Sequence, residues 1–280
     1  KKYQMLRDEV ANYLDVELEE APLASFEELL LVHDASYIER VVQGQLTDAE
    51  QREIGFPWSE QMVIRSRRSA GATIAACNSA WRTGVGVNLA GGTHHAYADK
   101  GSGFCVFNDA AIAAKKIQSI LYDYLKRHLR VAIIDLDVHQ GNGTASILKE
   151  DRSVFTFSMH GEKNFPFRKE SSDLDIGLPD GCADEEYLKA LEYGLDQIQT
   201  IFNPDFVIYL AGADPYQGDR LGRLHLTFEG LGKRDEKVLQ WCFKSKIPVA
   251  IAMAGGYGNT IEETVAIHAQ TIRKAIAFQW

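Results

Sequence analysis

The sequence predicts an α/β fold in which helices cover both faces of a mostly parallel sheet. Short apolar runs alternate along the chain with longer helical patterns. These runs lack the polar alternation of a strand that has one face in water, which is typical of parallel strands buried on both faces. The 280 residues contain no internal repeat, low-complexity tract or Pro/Gly/Ser-rich linker. We therefore expect a single domain over residues 1–280.

Residues 1–45 are expected to be mostly helical, because apolar residues such as Leu6 and Val10 recur at helical spacing. A later alanine- and glycine-rich stretch, over residues 60–81, suits a helix packed closely on a sheet. The predicted elements are helices over residues 35–43 and 60–81, a segment over 45–60 that is first polar and then turn-rich, and a strand over 85–89.

The rest of the chain alternates between strands and helices. Strands are predicted at apolar runs bounded by turn residues, and helices where apolar residues recur every three or four positions. The strands are expected from residue 131 and over residues 154–158, 205–211 and 249–254. The helices are expected over residues 109–129, 185–202, 234–246 and 259–277.

The stretch VAIIDLDVHQGNGT, over residues 131–144, carries the densest chemistry. Its apolar start predicts a buried strand, and strand alternation would put Asp135, Asp137 and His139 on one face. Two carboxylates and an imidazole are costly to bury unless they are paired or bind a metal. A helix-capping aspartate and a backbone-bonded histidine would each explain one such residue, but they explain three together poorly.

Five predicted strands are each followed at once by residues that can carry chemistry. These residues are His94-His95, Asp137 to His139, Ser158 to His160, Asp214 and Tyr257. Open parallel α/β sheets bind ligands beyond the carboxyl ends of their strands. We therefore expect these residues to meet at one edge of the sheet.

Asp137, His139 and Asp214 form a predicted metal site. Three protein ligands and an open position are typical of catalytic zinc, which lowers the pKa of bound water and polarises a carbonyl group. A structural zinc would more often use four ligands, usually cysteines, and the four cysteines of this chain have no such spacing. Ligand type alone also admits iron(II) or manganese.

His94 and His95 follow a Gly-Gly turn and are candidates for proton transfer near neutral pH. Asp135 and Asn142 could each accept the N–H of one imidazole and so fix its tautomer. Asn142 is neutral and would raise the pKa of its histidine less than a carboxylate would, so that histidine could stay neutral and act as a base. The alternative is a coincidental surface pair.

Aromatic side chains complete the predicted site. Tyr257 lies in a glycine turn, where its phenol could point at a developing oxyanion; the alternative is a packed aromatic side chain. Gly103, Phe104 and Phe165 belong to segments that could wall a narrow, apolar substrate channel, and a plain core role is the alternative for the neighbouring aromatic residues.

Composition argues against several classes of protein. The apolar fraction of 45% and charged fraction of 25% are ordinary for a globular domain. A net charge of −9 without a Lys/Arg cluster argues against direct nucleic-acid binding and is compatible with cationic substrates. No apolar run is long enough to span a bilayer, and no signal peptide is visible. Scattered cysteines indicate buried thiols of a reducing compartment, so we expect a cytoplasmic protein, or a nuclear and cytoplasmic one in a eukaryote.

Five stretches of this sequence, taken together, resemble one known family. They are GGTHHAYADKGSGFCVFNDAAIAA, IIDLDVHQGNGTA, FTFSMHGEKNFPF, AGADPYQGDRLGRL and AGGYG. Their order and spacing are similar to those of the histone deacetylases of the zinc-dependent arginase/deacetylase superfamily, most of all the class IV type and its bacterial relatives. The resemblance covers nearly the whole chain. The family pattern has one more strand and a His-Phe-Pro-like segment before Lys2, so we expect a truncated or partly disordered start.

The resemblance implies a single three-layer α/β/α domain with a central, mostly parallel sheet of about eight strands. It also implies a zinc ion bound by Asp137, His139 and Asp214. It further implies a monovalent cation, potassium, held by backbone carbonyls that include that of Met159 and by the Ser158 hydroxyl.

The resemblance also implies roles for the other candidates. His95, with Asn142 behind it, would be the general base and later the general acid. His94, with Asp135 behind it, would act mainly electrostatically, and Tyr257 would stabilise the oxyanion. The predicted channel residues are Gly103, Phe104 and Phe165.

The implied reaction is hydrolysis of an N-acyl amide to a carboxylate and an amine. Acyl-lysine of a protein or peptide, with an acetyl or a longer fatty acyl group, and acetylated polyamines all suit this machinery. A two-metal ureohydrolase resembling arginase is one alternative, and an acyl-lysine binding module that has lost turnover is another. The sequence leaves the acyl length and the oligomeric state open.

Overall fold

A parallel sheet of six strands forms the centre of the computed structural model, which describes residues 1–279. The strands are β1 (Val85–Asn88), β2 (Val131–Asp135), β3 (Val154–Gly161), β4 (Leu174–Leu178), β5 (Phe206–Leu210) and β6 (Val249–Ala252). Their order across the sheet is β1-β6-β5-β2-β3-β4, and all neighbours are parallel. The predicted α/β fold is confirmed, with six strands in the described residues where about eight were expected.

Helices cover both faces of the sheet. The helices are α1 (Lys2–Val10), α2 (Phe26–Leu29), α3 (Ala35–Val42), α4 (Asp48–Ile54), α5 (Glu60–Thr83), α6 (Asp109–Leu125), α7 (Asn142–Leu148), α8 (Asp184–Ile201), α9 (Phe228–Lys244) and α10 (Ile261–Ile276). Within residues 1–279, no helix is both long enough and apolar enough to cross a membrane. The four cysteines are buried free thiols, as predicted.

Each face of the sheet has its own apolar core. Along β2, Ala132 and Ile134 point into one cluster of buried side chains, and Val131 and Ile133 point into another. The first cluster includes residues of α1, α8, α9 and α10, and the second includes residues of α3, α5 and α6. Alternating side chains of a strand thus enter two cores, which explains the apolar runs without polar alternation.

Several element boundaries differ from the prediction. Helix α6 ends at Leu125 because Lys126 adopts a left-handed conformation with φ 54° and caps the helix. Helix α9 begins at Phe228, six residues early, because the Thr227 side chain accepts the Gly230 N–H and caps it. Strand β4 and helices α4 and α7 were not predicted, and α4 lies in the segment 45–60 that was expected to be polar and turn-rich. Strand β4 is half-exposed on the sheet edge, and each of the two helices is only seven residues long.

Candidate active site

Loops after four neighbouring strands bring the predicted site residues to one edge of the sheet. His94-His95 follow β1, Tyr257 follows β6, Asp214 follows β5, and Asp137 and His139 follow β2. Two details of the prediction were wrong. Strand β2 ends at Asp135, so Asp137 and His139 lie on a loop rather than on a strand face, and the segment from Ser158 to His160 lies inside β3 rather than after it.

The three predicted metal ligands converge at this edge. One candidate ligand atom from each of Asp137, His139 and Asp214 lies within 4.8 Å of the others. Nδ1 of His139 is 2.9 Å from Oδ1 of Asp137 and 3.4 Å from Oδ2 of Asp214. Both carboxylates are buried, whereas His139 is partly accessible from the cleft.

The chemistry of this set suits a divalent cation. Oδ1 of Asp214 accepts the Val138 N–H at 2.9 Å, but its buried Oδ2 has no hydrogen-bond partner. Burial, followed by the charge of nearby Asp137, raises the pKa of Asp214 to about 7. Two buried carboxylates with an orphaned oxygen need a counter-charge, and a metal ion supplies one. Two carboxylates and one imidazole are ligands that zinc accepts.

His94 is held by a buried carboxylate. Its Nδ1 lies 2.6 Å from Oδ2 of Asp135, and both side chains are buried. Burial by itself lowers the pKa of His94, but Asp135 and Asp137 outweigh it and raise the pKa to about 9. His94 is therefore suited to hold a positive charge near the predicted metal ligands.

His95 has the opposite environment. Its Nδ1 lies 2.6 Å from Oδ1 of the neutral Asn142, and its ring centroid is 4.1 Å from that of His94. Burial and the charge on His94 lower the pKa of His95 well below its usual range. The two neighbouring imidazoles thus have pKa values shifted in opposite directions. His94 is suited to act as a positive charge, and the neutral His95 is suited to accept a proton.

Asp109 anchors the loop that carries both histidines. Its carboxylate accepts the backbone N–H of Gly92 at 3.0 Å and of Thr93 at 2.7 Å, and the Thr73 hydroxyl at 2.6 Å. The side chain is fully buried. Sequence reasoning missed this anchor, because nothing local marks an aspartate at a helix start as the partner of a loop sixteen residues away.

Tyr257 lies at the mouth of the site on a loop held by Asp219 and Arg220. Its N–H donates to Oδ2 of Asp219 at 2.6 Å, and its carbonyl accepts the N–H and the Nε of Arg220 at 3.1 and 3.2 Å. Its side chain is 41% exposed. The phenol is thus free to meet a ligand while its backbone is fixed.

The three predicted channel residues lie together beside His95. The Phe165 ring meets the His95 ring edge-on, with centroids 4.9 Å apart. Phe104 faces Tyr257 at 6.2 Å, and its backbone, at φ 66°, is held by its N–H bond to the Ile54 carbonyl at 2.7 Å. A β-carbon at Gly103 would lie 2.7 Å from the His95 ring, so a side chain there would narrow the channel.

The site opens into a cleft of about 1110 Å³. Positively charged side chains dominate the rim of this cleft. Arg52 and Arg220 are exposed and form no ion pair within residues 1–279. Lys163 and Arg223 share the single carboxylate of Asp180. This rim is basic, although the chain as a whole carries a net charge of −9. Sequence reasoning missed it because these residues are far apart along the chain.

The predicted potassium-site residues lie on β3. Ser158 is in register with Asp135 of β2, and its hydroxyl is 3.0 Å from Nδ1 of His160. Met159 is fully buried. Their role as cation ligands stays a prediction.

Arg234 is a second support that the sequence did not reveal. It is fully buried and paired with Asp235 at 2.8 Å. Its guanidinium donates to the carbonyls of Gly212 at 2.6 Å and Leu136 at 3.4 Å. These carbonyls immediately precede the segments that carry Asp214 and Asp137, so Arg234 fixes both segments from behind.

The fold and this site define a parallel α/β domain with a candidate metal centre, and sequence comparison identifies its family. The histone deacetylase domain matches residues 1–272. The chain belongs to the histone deacetylase family.

Individual relatives agree with this assignment. The chain is 46% identical over 249 residues to an uncharacterized protein of Picosynechococcus sp., covering 88% of this chain and 81% of that protein. It is 32% identical over 254 residues to histone deacetylase 2 of Arabidopsis thaliana, covering 87% and 64%, respectively. It is also 32% identical over 257 residues to histone deacetylase 8 of Xenopus tropicalis, covering 84% and 67%.

Solved structures have the same fold. The crystal structure of an HDAC homolog from Aquifex aeolicus matches with a TM-score of 0.82 and 25% identity, covering 98% of this chain and 77% of that one. An acetylpolyamine aminohydrolase from Burkholderia pseudomallei matches with a TM-score of 0.78 and 20% identity, covering 99% and 90%, respectively. At that identity the second match concerns the fold alone.

Proposed function

We propose that the protein is a zinc-dependent amidohydrolase that removes acyl groups from lysine side chains. One observation carries this proposal. The set Asp137, His139 and Asp214 lies beside the two histidines at the base of an aromatic channel. Nδ1 of one histidine is held by a carboxylate, and Nδ1 of the other is held by a neutral amide.

Asp137, His139 and Asp214 would hold the zinc ion. When bound, zinc would lower the pKa of a water molecule and polarise the amide carbonyl of the substrate. The orphaned oxygen of Asp214 and the crowding of two buried carboxylates support this assignment.

The other residues would handle protons and charge. His95 would take a proton at Nε2 from the attacking water, because Asn142 engages its Nδ1. The same nitrogen would later return the proton to the departing amine as the C–N bond breaks. His94, held by Asp135, would keep a positive charge next to the reaction. Tyr257 would donate its phenol proton in a hydrogen bond to the carbonyl oxygen as that oxygen becomes negative.

The channel would hold the aliphatic stem of the acylated lysine. Phe104 and Phe165 offer apolar walls, and the absence of a side chain at Gly103 keeps the passage open. We further propose that Ser158 and Met159 contribute to a potassium site, and that the protein is of the class IV type and acts in the cytoplasm.

The basic rim favours a lysine side chain on a peptide over a free acetylated polyamine. An acetylpolyamine keeps further positive charges next to its amide, and these charges would approach Arg52 and Arg220 unfavourably. The side chain of Asn164 donates to the Leu221 carbonyl at 2.8 Å and accepts the Arg223 N–H at 3.2 Å, so two rim loops are tied together. Acylated polyamine remains the alternative substrate.

A metal and substrate survey tests this function. The zinc-supplied protein is analysed for metal by mass spectrometry and assayed on acetyl-, octanoyl- and myristoyl-lysine peptides and on acetylpolyamines. We expect about one zinc per chain and chelator-sensitive release of the carboxylic acid from peptides. Asp214→Ala should lose zinc and turnover together, whereas Asp123→Ala, at a highly exposed surface position, should lose neither.

The other outcomes separate the alternatives. Two metals per chain would indicate a ureohydrolase-like centre, and preferential turnover of acetylpolyamines would reassign the substrate. Tight binding of an acyl-lysine peptide without hydrolysis would indicate a binding module. Full activity of Asp214→Ala would remove Asp214 as a ligand.

A further inference from the structure

A chain of hydrogen bonds extends behind His95 and ends in a carboxylate. Nδ1 of His95 lies 2.6 Å from Oδ1 of Asn142, and Nδ2 of Asn142 donates to the Tyr97 hydroxyl at 2.9 Å. The Tyr97 hydroxyl in turn donates a hydrogen bond to Oε1 of Glu170 at 3.3 Å. We refer to Asn142, Tyr97 and Glu170 as the positioning chain.

The carboxylate gives this chain one direction. Ionised Glu170 can only accept, so the Tyr97 hydroxyl proton points to Glu170 and the Tyr97 oxygen is left as an acceptor. That oxygen therefore takes an N–H from Asn142. The carbonyl end of the Asn142 amide must then face His95.

The direction matters because the two ends of an amide are nearly the same size. An Asn142 carbonyl facing His95 requires a proton on Nδ1, which leaves the Nε2 lone pair free. A flipped amide would offer its NH₂ group to Nδ1 and move the ring proton to Nε2, where it would block proton uptake. An aspartate would avoid this problem, since both of its oxygens accept.

We propose that Tyr97 and Glu170 are positioning residues that fix the Asn142 amide and thereby the tautomer of His95. This rests on the proposed function only in taking His95 as the proton acceptor. The effect of the positioning chain on the tautomer exists with or without turnover.

The surroundings hold the carboxylate end in place. Gln140 is 1% exposed; its Nε2 donates to the Glu170 carbonyl at 2.8 Å, and its Oε1 accepts the Glu170 N–H at 2.9 Å. The same Nε2 donates to Asp175 at 2.9 Å.

Burial and the charge on Glu170 raise the pKa of Tyr97, so the phenol keeps its proton over the working pH range.

The first test reads the tautomer directly. In protein labelled with ¹⁵N-histidine, with and without zinc, His95 should show a protonated Nδ1 and an unprotonated Nε2. Tyr97→Phe should produce a mixture of the two tautomers, whereas Tyr193→Phe, at an exposed position of helix α8, should not. An unchanged His95 signal in a folded Tyr97→Phe protein would overturn the proposal. This readout needs no substrate, so it stands even if the proposed activity is not found.

The second test is a double-mutant cycle on turnover. Tyr97→Phe should lower kcat by roughly two- to tenfold, because only the fraction of molecules with the proton on Nδ1 of His95 can turn over. KM and zinc content should be unchanged. In the Asn142→Asp background, where no flip is possible, Tyr97→Phe should leave kcat within about twofold of that background. An equal loss in both backgrounds would show that Tyr97 acts on something other than amide orientation, and would overturn the proposal.

Discussion

Gly255 leaves no room for a side chain beside Asp214. A β-carbon on Gly255 would overlap Oδ2 of Asp214 and would lie 2.6 Å from Oδ2 of Asp137. The Gly255 N–H also donates to that Asp137 oxygen at 2.9 Å. The loop after β6 therefore sets the position of two predicted metal ligands that belong to two other loops.

Gly255→Ala is expected to weaken zinc binding without unfolding the protein. The added methyl group must push Asp214 away. Loss of a contact that supports a metal ligand lowers metal affinity by roughly tenfold to a hundredfold. Competition with a chromophoric chelator measures the affinity, and thermal unfolding of the metal-free protein checks the fold. The matched control is Gly177→Ala, where the new β-carbon would meet only ordinary contacts at 3.5 Å or more. Equal zinc affinity in both variants would contradict the expected displacement.

Tyr257→Phe should separate turnover from binding. The variant keeps the ring that faces Phe104 but loses the donor for the oxyanion, so kcat should fall on the order of a hundredfold or more while zinc content stays the same. Steady-state kinetics on an acyl-lysine peptide, together with metal analysis, measures both quantities. Tyr124→Phe, at an 80% exposed position, is the control. An unchanged rate would refute the oxyanion role.

Charge reversal at the rim should change peptide preference. Arg52→Glu removes one of the unpaired cations and adds a negative charge, so KM should rise several-fold for acyl-lysine peptides with acidic neighbours and fall for those with basic neighbours. The effect should shrink as salt is added. Arg152→Glu, at an exposed position before the amino end of β3, is the control. If both peptide series respond alike, the rim does not select substrates by charge.

Acid should destabilise the fold through His33. Nδ1 of this buried imidazole lies 2.9 Å from the Tyr97 carbonyl oxygen, and Nε2 accepts the Asn108 N–H at 2.9 Å. Burial lowers its pKa from 6.5 to about 4 in the folded state. The unfolded chain therefore binds more protons between these values, and stability should fall as pH drops from about 6.5 to about 4, by on the order of 3 kcal/mol from this group.

Denaturant unfolding as a function of pH measures this contribution. His33→Gln should be less stable than the parent at pH 8 or so, but should lose less stability on acidification. His128→Gln, at an exposed position, serves as the control. Parallel pH profiles for the parent and His33→Gln would show that His33 carries no such linkage.

Local sequence patterns predicted most of the fold because they report short-range physics. The apolar run at residues 131–134 enters both cores, and its neighbours in the sheet show the same pattern. Strand β4 escaped prediction because its side chains alternate between exposed and half-buried at the sheet edge. Helix α9 was predicted to begin late because its first five residues contain two glycines, which weaken a helical pattern that the Thr227 cap stabilises.

The sequence by itself determined the fold class, the donor types at each strand end and the five motifs of the family. Only the tertiary structure decided that one oxygen of Asp214 is left without a partner, that Tyr97 and Glu170 stand behind Asn142, and that cations gather around the cleft. Strand and helix patterns follow from neighbours a few residues apart. Proton positions and counter-charges instead depend on distances between groups that are far apart in the chain, and packing alone sets those distances.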